Sequence, residues 1–161
     1  MQKSDEAFYE LAEYFKNVDR PVVICMLGDH CPNFADGIAD SDMSPDVKEL
    51  NLRRTPFIMW SNRELPESWT DTIETVSTNY IVPLILDDLE LPRPPYYQYM
   101  EQIADLYPVL GTNMKYMDGD GVIRTYDDSA KEVTGYFYME YNNIGDKAAR
   151  IPDLYTTPEY D

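Results

Sequence analysis

Apolar positions along the chain alternate between two periods. Phe8, Leu11, Ala12 and Phe15 fall at helical spacing behind Ser4, which predicts a helix capped by Ser4 and running to about Asn17. "NVDRP" interrupts that pattern, and six apolar residues in a row follow, Val22 to Leu27. An unbroken run, rather than an alternating one, predicts a strand covered on both faces, as in a parallel sheet. Cys31 to Ser44 reads as loop, and Ser44-Pro45 as an N-cap with proline in the first turn of a short helix to about Leu50. A second strand is predicted over "TPFIMWSN", 55–62.

Farther on, Ser77 precedes a helical pattern carrying Tyr80, Ile81, Leu84, Ile85 and Leu89, although Pro83 lies too deep for a first-turn proline and implies a kink or a later start. "LPRPPYY" is a stiff connector into a helix marked by Tyr96, Tyr99, Met100, Ile103, Leu106 and Tyr107. "DGDG", 118–121, is a turn between two short strands. Ala130, Val133, Phe137, Tyr141 and Ile144 share one helical face, in preference to a strand, despite Gly135. Helices alternating with strands make the chain α/β. Only two convincing core strands are present, few for a free-standing sheet, so the 161 residues read as one domain that is a piece of something larger.

Charge narrows the partners. Thirty acidic against thirteen basic side chains give a net −17, which repels nucleic acid and anionic headgroups. No run is long enough for a membrane helix, and the first residues are amphipathic and acidic rather than signal-like. Two cysteines supply neither a disulfide framework nor a zinc site on their own; Cys25, inside the apolar run, reads as a buried thiol. The aspartates of "MDGDGVIRTYDD" fall at calcium-loop offsets only if Tyr116 takes the first ligand position, so a plain hairpin is preferred. Trp60 and Trp69 read as core or domain-contact residues, and the group Tyr96, Tyr97, Tyr99 and Tyr107 as a face packed on a missing domain.

The one histidine of the chain, His30, follows Asp29 and Gly28 directly at the end of the first strand. Ligands of open α/β sheets gather beyond strand carboxyl ends, and a carboxylate beside an imidazole suits a divalent transition metal. Two donors are half a site. Arg53 and Arg54, just before the second strand, are candidates for gripping an anionic ester, or else for pairing with surface carboxylates.

The order of "RPVVICMLGDHCP", "RRTPFIMWSN", "VSTNYIVPLILDDLELP" and the late "YMEYNNIGDK" resembles the C-terminal part of the lipoteichoic acid synthase-like sulfatases of the alkaline phosphatase superfamily, over most of residues 4–150. The resemblance implies the C-terminal portion of an alkaline phosphatase-like sandwich, a mostly parallel sheet flanked by helices. It implies Asp29 and His30 as ligands of the catalytic metal, Mn2+ first among Mg2+, Zn2+ and Ca2+. That family's threonine (in true sulfatases formylglycine) nucleophile lies upstream of the Gly-Asp-His strand, so no catalytic nucleophile is expected here. The implied parent is a bacterial phosphoglycerol transferase or sulfatase, membrane-anchored with its catalytic domain on the outer face, acting on an anionic lipid or glycan ester. The expected partner is the missing N-terminal part of the domain, and the isolated portion is expected to be soluble and prone to self-association. The alternative is a stand-alone, non-catalytic binding or scaffold protein.

Overall fold

The computed structural model describes residues 2–31, 42–65, 74–111, 114–127, 129–146 and 148–159. The chain is α/β and divides into two compact units, Met1–Leu65 and Pro66–Asp161.

The first unit runs α1 (Gln2–Phe15), β1 (Val23–Leu27), α2 (Pro45–Arg53) and β2 (Phe57–Ser61). Ser4 is not a cap: α1 begins before it, and Ser4 sits inside the first turn. Ser44 does cap α2, its hydroxyl accepting from Val47 N–H at 3.4 Å with Pro45 at the first helical position, where the missing N–H costs nothing. β1 and β2 pair antiparallel, with Ile24 opposite Trp60 and Leu27 opposite Phe57. The expected parallel neighbour is therefore corrected: every ladder among the described residues is antiparallel. An apolar run reports how much of a strand wants cover and says nothing about the direction of its neighbour. Nor is that cover complete, since Leu27 and Ile58 are 47% and 41% exposed. Cys25 is likewise exposed rather than buried. No described residue of this unit is fully buried.

The second unit holds the core. Its elements are α3 (Thr78–Asp88), α4 (Pro95–Leu106), β3 (Val109–Leu110), β4 (Lys115–Met117), β5 (Ile123–Thr125), α5 (Lys131–Ile144) and a 3-10 turn, Pro152–Leu154. Tyr80, Ile81 and Leu84 of α3, with Met100 and Ile103 of α4 and Val133 of α5, are buried. The aliphatic and methionine side chains among them each contribute about 1.5–3 kcal/mol on leaving water. Pro83 stays inside α3 and is itself buried. Ser77 stands at the N-cap of α3 but spends its hydroxyl elsewhere, accepting from Leu110 N–H at 2.8 Å and donating to Leu110 O at 3.2 Å, which stitches α3 to β3. The β4–β5 hairpin turns through 118–122 as expected, with Asp118 Oδ1 accepting from Val122 N–H at 2.9 Å and Oδ2 from Arg124 Nε at 2.6 Å. Both Asp118 oxygens are thereby used to brace the hairpin.

The reading of the tyrosine group as a face for a missing domain fails for Tyr96, Tyr99 and Tyr107. The Tyr96, Tyr99 and Tyr107 hydroxyls donate to Glu140, to Glu132 O at 2.7 Å and to Glu132 Oε2 at 3.3 Å, so these tyrosines pack within the unit on α5. Tyr99 comes so close that a Cβ on Gly135 would lie 2.4 Å from its hydroxyl, which explains a glycine in mid-helix. Along the apolar stripe of α5 the first members, Ala130 and Val133, are buried, while Tyr141 and Ile144 at its end are about two-thirds exposed, at 65% and 66%.

Arg93 joins α3 to α4, hydrogen-bonding Asp87 and lying 3.3 Å from Glu101 Oε1 in an ion pair without hydrogen-bond alignment. Burial pushes the Glu101 carboxyl up from 4.5 to about 7, Arg93 pulling it back and Asp87 adding to the rise. The folded unit then holds a proton that the unfolded chain releases near 4.5, so stability declines as pH rises from there through 7. Glu101→Gln removes that decline; the check is the urea midpoint measured at about pH 5 and about pH 8, where the wild type should lose more than the variant.

Candidate metal half-site at the end of the first strand

The β1–β2 ladder runs one residue past β1, and its last pair sets the site. Gly28 N–H donates to Pro56 O at 3.1 Å. In an antiparallel hydrogen-bonded pair the return bond comes from the partner's N–H, and proline has none. The hydroxyl of Thr55 supplies it instead, donating to Gly28 O at 2.9 Å. Thr55 also packs so tightly that a Cβ on Gly28 would lie 2.8 Å from Thr55 Cβ. At the other end of the ladder a side chain again replaces backbone. Asn62 N–H donates to Val22 O at 3.2 Å, while Val22 N–H donates to Asn62 Oδ1 at 2.9 Å. The Asn62 amide nitrogen faces three carbonyls, Phe15 O, Val18 O and Arg20 O, at 3.0–3.1 Å, tying the end of α1 to the sheet.

Asp29 and His30 leave this clamped end together. His30 N–H donates to Asp29 Oδ1 at 2.9 Å, which fixes the carboxylate. His30 Nδ1 lies 3.0 Å from Cys31 O, an acceptor only, so Nδ1 carries the proton. Nε2 is the ring nitrogen left to face Asp29 Oδ2, at 3.4 Å. A ring proton on Nε2 or a cation placed between the two atoms would each suit that approach. Tetrahedral zinc ligands at about 2.0–2.1 Å stand about 3.3 Å apart, so the spacing is of the order that two donors to one ion adopt. Anchoring the other ring nitrogen on a carbonyl is the usual way of presenting an imidazole to a metal. Both side chains are largely exposed, 87% for Asp29 and 75% for His30, so the pair adds little to stability as a surface ion pair.

Cys31 turns away from this spot, its thiol donating to Arg54 O at 3.1 Å. Among the described residues no group of three or more His, Cys, Asp or Glu side chains converges, so the donors number two. Arg53 and Arg54 end α2. Arg53 Nη2 pairs with Glu49 Oε1 at 3.6 Å, and Arg54 caps the helix through its N–H to Asn51 O at 3.2 Å. Arg54 reaches the Asp29–His30 turn through its backbone carbonyl. Trp60 is half-buried in β2, and Trp69 lies outside the described residues. The sequence reading missed Thr55 and Asn62 as the clamps. The signal was a hydroxyl residue directly before a strand-opening proline.

No family model matches the chain. No solved structure matches it. One curated protein does, the "Putative cyclic beta-1,2-glucan modification protein" of Rhizobium meliloti (strain 1021), 25% identical over 123 residues. The match takes in 71% of this chain and 19% of the relative, so the chain corresponds to about a fifth of that protein's length. Among the described residues no helix is long and apolar enough to cross a membrane.

Gly28→Ala forces Thr55 and Gly28 apart, because the new Cβ meets a branched carbon rather than a pliable chain end. Overpacking of this kind costs about 1–3 kcal/mol. The variant should unfold earlier in urea, and hydrogen exchange at Asp29 and His30 should accelerate relative to the wild type.

Proposed function

We propose that the chain is the C-terminal portion of a metal-dependent enzyme that transfers or hydrolyses phosphate or sulfate esters, phosphoglycerol transferase-like and acting on a glycan, to which it contributes Asp29 and His30 as half of a metal site. The observation that carries the proposal is the pair of facing atoms, Asp29 Oδ2 and His30 Nε2, held at a clamped strand end. The Gly-Asp-His resemblance and a relative named for glucan modification support the same reading.

Asp29 and His30 would hold the ion, Mn2+ in this reading. A bound divalent cation lowers the pKa of an attacking hydroxyl and neutralises charge on the transferred group. In the protein's own terms, Asp29 supplies the negative charge that favours a cation, and the Nδ1 contact with Cys31 O leaves Nε2 as the ring nitrogen presented toward it. Arg53 and Arg54 are the proposed contacts for the anionic ester, a fork matched to phosphate or sulfate. Further donors and the nucleophile would come from the rest of the enzyme, on the outer face of a bacterial membrane. The half-covered β1–β2 strands, with Leu27 and Ile58 open, favour a sheet completed by more polypeptide.

The expected behaviour of the 161-residue chain is weak Mn2+ binding and no turnover of bis-p-nitrophenyl phosphate or p-nitrophenyl sulfate. Titration followed by the free-Mn2+ paramagnetic resonance signal should show binding that Asp29→Ala and His30→Ala each abolish. Binding that survives both substitutions sinks the half-site. Turnover abolished by Asp29→Ala would place a nucleophile in this chain and overturn the division of labour.

A further inference from the structure

We propose that Thr55 is the positioning residue of the Asp29–His30 turn: its hydroxyl supplies the ladder hydrogen that Pro56 lacks and so fixes the direction in which both donors leave the sheet. The inference rests on the reading of Asp29 and His30 as metal ligands. Gly28 is bound on both sides of its Cα, through its N–H to Pro56 O at 3.1 Å and through its C=O to Thr55 Oγ1 at 2.9 Å. The second bond acts on the peptide plane that leads into Asp29. Without it that plane is free to rotate, and Asp29 and His30 rotate with it.

Among the described residues, the other hydrogen bonds of the turn are weaker or internal to it. Cys31 Sγ to Arg54 O is a thiol bond, and the contacts of Asp29 with His30 are carried along by the turn rather than anchored outside it. Thr55 is also the wall against which Gly28 closes, at 2.8 Å from the Cβ position. The hydroxyl and the branched carbon are thus separable: valine keeps the wall and loses the bond, while serine keeps the bond and trims the wall.

His30, as the sole histidine, gives one imidazole signal in proton NMR of the full chain. In the metal-free protein Thr55→Val should broaden or split that signal, and Thr55→Ser should restore it. With Mn2+ as the probe, the concentration that half-broadens the signal should rise about tenfold or more in Thr55→Val, the usual loss on removing an outer-shell support, and return toward wild type in Thr55→Ser. A Thr55→Val protein matching the wild type in both readouts overturns the inference. If Mn2+ leaves the wild-type signal untouched, the metal reading fails, while the metal-free spectra still decide whether Thr55 positions the turn.

Discussion

A proline nitrogen carries no hydrogen, and the geometry of the Asp29–His30 turn depends on how the chain answers that at Pro56. An antiparallel ladder would end there with Gly28 O unpaired. Thr55 closes the gap from the preceding position, and the closure is tight enough to require glycine opposite it. Asn62 performs the corresponding service at the other end, standing in for its own carbonyl opposite Val22 and gathering the carbonyls that leave α1. Five paired residues between two side-chain clamps make a short ladder with little freedom to slip. Asp29 and His30 inherit that rigidity because they follow directly.

The two units differ in what holds them. Residues 66–161 bury a core through α3, α4 and α5, with tyrosine hydroxyls spent on Glu132 and Glu140. Described residues before 66 bury nothing fully and rely on hydrogen bonds at the ladder ends. Strands as apolar as β1 and β2, with Leu27 and Ile58 half in water, are the kind of surface that further polypeptide covers. That deficit is one support for the proposed function, and the two donors that Asp29 and His30 would offer a cation are the other.

Periodicity served well where a single element decides the outcome. Ser44-Pro45 announces a helix start by chemistry internal to the segment, and "DGDG" announces a turn the same way; both are where they were expected. It served poorly where a neighbour decides. The run Val22–Leu27 correctly marks a strand, but neither its antiparallel partner nor the exposure of Cys25 is written in it. Tyr96, Tyr99 and Tyr107 look like an interface until α5 is in place to accept their hydroxyls. At the site, Asp29 and His30 were legible as unusual neighbours after a strand. Thr55 and Asn62 were not, since their roles exist only once the register is known.

The most direct test of the central claim is electron spin-echo modulation of Mn2+ added to the full chain, with its one histidine labelled with nitrogen-15. Modulation from a single coordinated imidazole nitrogen should appear, change on labelling and disappear in Asp29→Ala. An Mn2+ signal indifferent to the label would mean that His30 does not bind the ion and would contradict the half-site.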